Sequence, residues 1–359
     1  MLTADLRQAL LSAASDAGYP APDNDPVLRS GGAPGRYTAG LPLRITGQHA
    51  ATIAEAIAAP LRATPWISTV SPAPGGYLII AVTDDALERL AVRVAESGPA
   101  CARSDALHGT TLPPPQLPHA PQPPHAPQPP QAPQPPHLSQ ASLPARPDPW
   151  AGAHTTVLLQ VTAALGRAAA ASVPVDFFNR LPPHPVPTPM APDPVTAAEA
   201  FAGAEAIRYT LARTPPDRLV PPDPAALARH VEANPAYAVR YAYSCAASTL
   251  RWAAALGLSQ GEAAGFRPDS LTHPRERALL DALSWLPEQV ARAARRGRPH
   301  EFTAYLEGLA ETYQVCRVAC PAWPERGHVV RARLWLTGAV AVGLAAGLEL
   351  LGVSAPARL

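Results

Sequence analysis

The chain of 359 residues contains no lysine, and all 29 of its basic side chains are arginine. That absence removes several chemistries at once. A phosphate-binding loop ending in Gly-Lys-Ser/Thr and a pyridoxal Schiff base both need a lysine amine. Charge is scarce as well. The net value is +1, a weak field for a polyanion partner. Only four cysteines are present (Cys101, Cys245, Cys316, Cys320), and they lack the spacing of a secreted disulfide framework. No secretory leader is visible, because Asp5 and Arg7 interrupt the first apolar run. These features point to a cytoplasmic protein.

What is abundant is proline, 47 residues, much of it in one tract. The repeat His-Ala-Pro-Gln-Pro-Pro between Cys101 and Pro149 favours polyproline II, which forms no packed core. The expected plan therefore has four parts: a domain over 1–99, a Pro-rich linker over 100–150, a helical connector over 151–233 and a helical bundle over 234–359. His119, His125 and His137 in the tract read as polar spacers ahead of metal ligands.

Residues 1–99 read as a small α+β domain. A helix is expected over Thr3–Ala17, a strand over Tyr37–Ile45, a helix over Gln48–Leu61, strands over Ile67–Val70 and Tyr77–Val82, and a helix capped at Thr83 and running toward Glu96. The rest reads as helices. One spans Thr155–Ala171. After a Pro-rich break over Leu181–Pro194, Asp193 and Pro194 open another, with Ala197, Phe201, Ala204, Ile207 and Leu211 inward. Asn234-Pro235 starts a helix that ends at Gly257. A stretch over Leu271–Arg296 is kinked at Pro287. Phe302, Tyr305, Leu306, Leu309, Tyr313 and Cys316 share one helical face. Val329–Leu351 closes the chain before Gly352. Its apolar part, Leu334–Leu351, approaches membrane-spanning length, but Ala, Gly and Glu349 suit a buried bundle helix better, so no membrane partner is expected. The fold class is mainly α, an all-α C-terminal bundle with a small N-terminal α+β domain.

Several pieces of wording resemble arginyl-tRNA synthetases. Asn234, Pro235, Tyr237, Val239, Tyr241 and Ala242 match the family's Asn-Pro-x-Tyr-x-Val-Gln-Tyr-Ala-His-Ala-Arg frame, with Arg240 for Gln, Tyr243 for His and Cys245 for Arg. Gly203–Tyr209 resembles the segment that follows the family's lysine loop. The tail Ala355-Pro356-Ala357-Arg358-Leu359 stands where the family ends Ala-Pro-Glu-Arg-Met. More weakly, Gly35-Arg36-Tyr37, Ile53-Ala54-Glu55-Ala56-Ile57 and Pro74-Gly75-Gly76-Tyr77 resemble the N-terminal additional domain that touches the tRNA elbow, with Arg36 for Asp and Gly40 for Asn. The resemblance implies an anticodon-binding bundle and tRNA as partner, with arginine tRNA as one candidate. It also implies what is missing. The chain has no His-x-Gly-His motif, and the family's second signature loop needs lysines. No catalytic residue, cofactor or metal is therefore assigned.

The candidate RNA-binding residues are Tyr237, Arg240, Tyr241, Arg292, Arg295, Arg296, Tyr313, Arg331, Arg333 and Leu359. From Asn234 onward, 14 arginines face 10 acidic residues, a modest field for phosphates. Trp252 and Trp323 join the tyrosines as rings able to stack on bases. Each reading has a bland competitor. The aromatics suit a core, and arginines ending a helix also complement its dipole. Cys316-x-x-x-Cys320, with His300 or His328 nearby in sequence, suits buried thiols better than zinc. Two other functions stay open: a protein–protein adaptor that has lost RNA, and an aminoacylation accessory working with a catalytic partner. The oligomeric state is not legible.

Overall fold

Leucine and alanine at helical spacing begin the chain, and the helix they specify, α1 (Leu2–Asp16), buries Leu2, Leu6, Leu10, Ala13 and Ala14. In the computed structural model, which describes residues 2–19, 25–45, 49–113, 148–178, 193–218, 221–323 and 327–359, α1 is followed by an antiparallel sheet. Its strands are β1 (Leu28–Ser30), β2 (Arg36–Ala39), β3 (Ile67–Ala73) and β4 (Tyr77–Val82), in the order β1-β2-β4-β3. The two-residue alternation is plain in β4, where Leu78, Ile80 and Val82 are buried and Tyr77 and Ile79 are exposed. Helix α2 (Ala50–Leu61) packs against α1, β3 and β4. The strand expected over Tyr37–Ile45 stops at Ala39. Pro42 has no N–H for a ladder, and Leu41–Arg44 form a 3-10 turn instead. Thr83 caps α3 (Asp84–Glu88), its hydroxyl accepting from the Ala86 N–H at 3.2 Å, and α4 (Leu90–Ser97) follows beyond Arg89.

The chain does not leave the fold at Cys101, as composition suggested. Cys101, Ala102, Ala106, Leu107 and Leu112 are buried. The Leu107 N–H donates to the Ala169 carbonyl at 2.9 Å and the Leu112 N–H to that of Ser172 at 3.0 Å. The first residues of the expected linker, up to Leu112, are thus part of the fold, and Asp148 caps α5 (Pro149–Ala168). The proline repeat with its three histidines, and most of the break over Leu181–Pro194, lie outside the described residues.

The remaining helices are α6 (Pro194–Ala202), α7 (Ala204–Arg213), α8 (Pro224–Leu227), α9 (Pro235–Ala255), α10 (Pro274–Ser284), α11 (Leu286–Arg296), α12 (Pro299–Ala319) and α13 (His328–Leu351). Gly203, at φ +91°, separates α6 from α7. That break changes the register, so Ala197, Phe201 and Ala204 are exposed and not inward, while Val195, Ala198, Ile207 and Leu211 face the core. At Pro287 the expected kink is a full separation of α10 from α11 at Trp285. Helix α13 is the axis of the bundle. It packs on α4 and the turn Gly98–Ala102 on one side and on α9 and α12 on the other. Among the described residues it alone is long and apolar enough to cross a membrane, and 72% of its most apolar window is buried inside the fold.

The two halves share one continuous core. Their polar seam is extensive. Arg7, 1% exposed, pairs with Asp105 and, at 3.0 Å, with Glu288 of α11. The Thr3 hydroxyl donates to the Ser284 carbonyl. Glu88, buried, accepts from the Ser270 and Leu271 N–H groups at 3.0 and 3.1 Å. Arg277 forms a two-pronged pair with Asp84 at 2.8 and 2.7 Å. The N-terminal domain is therefore docked on the bundle and does not rely on a tether for its place. Since Leu112 bonds beside the far end of α5, a 20-residue helix, the two ends of the Pro-rich segment stand about 30 Å apart. That is roughly a third of its polyproline reach, about 100 Å.

Candidate nucleic-acid interface

The site is built on α9. Asn234 opens it twice over. Its carbonyl oxygen accepts from the Tyr237 N–H at 3.4 Å, and its amide donates to the Leu227 and Arg229 carbonyls at 2.8 and 3.0 Å, which clamps the preceding loop. Val239, Ala242, Ala246 and Ala253 face inward, small enough for α12 and α13 to approach. The opposite face carries rings. Tyr237 and Tyr241, one turn apart, stack with centroids 5.6 Å apart at 14°, and His230 from the clamped loop stacks on Tyr237 at 5.2 Å and 9°. Farther along, Trp252 is 65% exposed. The Cys245 thiol beside Tyr241 holds its phenol above the ordinary value.

The C-terminal tail runs over this helix and is held at every step. Gly352 ends α13 at φ +69°, a conformation that suits glycine. Arg208 donates from Nε to the Leu351 carbonyl at 2.6 Å, meeting an otherwise orphaned acceptor at the helix end. Glu205 accepts from the Ser354 N–H and hydroxyl at 2.9 and 2.8 Å and pairs with Arg240 at 3.3 Å. Ser244 donates to the Pro356 carbonyl at 2.7 Å, and Arg251 to that of Ala357 at 2.9 Å. Leu359 is left half exposed.

Beside α9, the last turns of α12 present Val315, Arg317 and Val318 to solvent, and Trp323 follows. Beneath them lies a cavity of about 160 Å³ between α9, α10, α12 and α13, lined in part by Tyr313, Cys316, Cys320 and Arg333. Burial pushes the Cys316 thiol up to about 12 and raises Cys320 as well, so both are protonated thiols. No three His, Cys, Asp or Glu side chains gather as a metal set among the described residues. Arg333 pairs with the buried Glu276 at 2.7 Å, and Glu276 also accepts from the His273 N–H at 3.0 Å, closing a capping box.

A second cationic cluster stands where α11 meets α12. Arg292, Arg296 and Arg298 converge on the single carboxylate of Glu301, at 3.6, 3.2 and 3.5 Å. Three guanidiniums on one acid leave a net charge of about +2 there. Glu301 and Arg317 are sixteen residues apart on one helix, so this cluster lies about 24 Å from the aromatic face.

Measured against the ten candidates, the face gathers Tyr237, Arg240, Tyr241 and Leu359, and the distant cluster takes Arg292 and Arg296. Arg331 is exposed at the start of α13. Three candidates lie off both surfaces or are engaged inside the fold. Tyr313 is 2% exposed and belongs to the core, because its α12 face is the inward one. Arg295 is tied to Asp25 of the N-terminal domain. Arg333 is engaged by Glu276. Tyr237 has both ring faces covered, so it acts as a spacer between His230 and Tyr241. The residues that sequence reasoning missed are His230, Arg251 and Arg317. Arg317 was legible as a basic residue off the apolar stripe of α12, whereas His230 gave no periodic signal. Gly257-Leu258-Ser259-Gln260-Gly261 has the spacing of a nucleophile elbow, but it follows helix α9 and not a strand, and Gln260 is spent on the Leu334 carbonyl at 2.9 Å.

Residues 239–359 match the family described as the DALR anticodon binding domain. Over 164 residues the chain is 39% identical to an arginine–tRNA ligase of Paenarthrobacter aurescens, covering 45% of this chain and 29% of that one. A ligase of the same name from Clavibacter sepedonicus is 40% identical over 161 residues, 44% of this chain and 28% of the other. The chain thus spans under a third of the length of these curated relatives. Among solved structures, the arginyl-tRNA synthetase of Thermus thermophilus aligns with 57% of this chain and 32% of its own, at 26% identity and a TM-score of 0.39.

Proposed function

We propose that this protein binds tRNA in the cytoplasm without activating an amino acid itself, and that its ligand is an anticodon arm, with arginine tRNA the first to test. The observation that carries the reading is a coincidence of place. The region matched to an anticodon-binding family, 239–359, is where exposed Tyr241 and Trp252 stand interleaved with Arg251 and Arg317, alongside a tail fixed by four side chains. Rings with open faces take bases, and arginines take phosphates. The Arg292/Arg296/Arg298 cluster, about 24 Å away, supplies a second grip on the backbone. Binding without adenylate chemistry is supported by the lack of a His-x-Gly-His motif and of any lysine within these 359 residues.

One observation favours the adaptor reading. Several arginines are already paired within the protein, Arg240 with Glu205, Arg295 with Asp25 and Arg333 with Glu276, while Val318, Leu256 and Trp252 offer an apolar surface. Salt separates the two. Net contributions from the three-arginine cluster, Arg251 and Arg317 amount to about four phosphates, hence a log–log slope of about −3 to −4 and a loss of about a hundredfold between 50 and 200 mM salt. A filter-binding titration against total tRNA reads this slope. A flat response, or no retention of RNA at low salt, defeats the proposal. In an exchange assay of ATP with pyrophosphate in the presence of arginine, turnover by the purified chain would overturn the binding-only part. Stimulation of a separate ligase would favour the accessory reading.

A further inference from the structure

The column of rings at the start of α9 has one end in solvent. Tyr237 is covered on both faces, by His230 and by Tyr241, with planes inclined only 9° and 14°. His230 is exposed, and among the described residues no ring stacks on its outer face and no hydrogen bond engages its imidazole. Its position is nonetheless fixed. The buried Asn234 holds the Leu227 and Arg229 carbonyls, so the loop carrying His230 cannot swing away without breaking two hydrogen bonds. A surface imidazole with no hydrogen bond, held flat against a tyrosine by its backbone, is a stacking platform already paid for in conformational entropy.

We infer that the outer face of His230 receives one unpaired base of a single-stranded nucleic-acid loop, which extends the His230–Tyr237–Tyr241 column by one ring. The inference rests on the proposed RNA binding and adds a residue and a ligand feature to it. The feature is an unstacked base, since a paired base inside a duplex offers no free face. Arg229, the preceding residue, is exposed as well and adds a positive charge to this loop. Stacking also tolerates any base, so His230 contributes affinity and position more than sequence choice.

The test uses the full chain and an anticodon stem-loop RNA with 2-aminopurine placed in turn at each loop position. The wild type should quench one position strongly. His230→Ala should weaken binding about tenfold and abolish that quench, while His230→Phe, which keeps the ring, should preserve both. The salt slope should be the same in all three, because no phosphate contact is lost. Binding that His230→Ala leaves unchanged overturns this inference alone. A His230→Phe variant as weak as the alanine variant also overturns it, since that would make the imidazole a hydrogen-bonding group. Failure of the wild type to bind the stem-loop overturns both this inference and the function it rests on.

Discussion

Replacing Arg7 with methionine tests how the two halves are joined. The guanidinium is 1% exposed and bridges Glu288 at 3.0 Å, where the partner carboxylate is 17% exposed, and Asp105, where it is 56% exposed. Asp105 can return to water, so its loss counts for no more than about 1 kcal/mol. Glu288 cannot. Burial already pushes its carboxyl up, and the Arg7 guanidinium beside it pulls it back. Leaving it unpaired should cost about 3 kcal/mol at neutral pH, the low end for a broken buried pair. The loss has a pH signature. A carboxyl whose folded value is raised favours folding while protonated, and that stability disappears as pH rises through the folded value. Arg7→Met should therefore be clearly destabilising at pH 7 and much less so at pH 4.5. Adding Glu288→Gln should recover more than half of the loss. Urea unfolding, followed by circular dichroism and tryptophan fluorescence, gives these differences from midpoint and slope. A loss below about 1 kcal/mol, equal losses at both pH values, or a wild type that unfolds its first hundred residues separately would refute the docked arrangement.

Other outcomes follow from single contacts. Trp252→Ala should leave stability unchanged, since the ring is 65% exposed, and should weaken RNA binding about tenfold in fluorescence anisotropy. Gly352→Ala places a Cβ about 2.5 Å from Arg208 Nε at a φ of +69°; proteolysis should release the tail, and anisotropy should show weaker RNA binding with the bundle intact by circular dichroism. His154 is buried with Nε2 at 3.1 Å from the Thr214 carbonyl, and burial lowers its value. Its neutral form favours folding above the ordinary histidine value, and this is lost as pH falls through the depressed one, so urea midpoints should drop on acidification less steeply in His154→Gln. Glu276→Ala removes both a capping partner and the partner of Arg333; thermal melts should show a loss of about 3 kcal/mol or more.

Helices were legible wherever apolar periodicity met a cap. Asn234-Pro235 and Gly352 marked the ends of α9 and α13 to within a residue. Errors arose where one residue overrides a pattern: Pro42 cut a strand short, and Gly203 turned Phe201 outward. The linker was overextended because proline content masked the apolar residues Leu107 and Leu112. At the candidate site, residue type singled out Tyr241 and the arginine cluster as candidates, but it could not show that Asp25 pairs with Arg295 or that Glu276 pairs with Arg333. Those pairs join residues 270 and 57 positions apart, and no local pattern carries such information. His230 lay in a loop, where position depends on a clamp that only the folded chain displays.

The contacts of Arg7, Glu88 and Arg277 join the residues before Leu112 directly to those after Asp148. Cutting the chain between these two parts would forfeit only the concentration advantage of a closed loop, on the order of 3 kcal/mol, while the seam of Arg7, Glu88 and Arg277 remained. Two separate polypeptides, 1–113 and 148–359, should then reassemble when expressed together, and the larger would carry its small partner as a subunit.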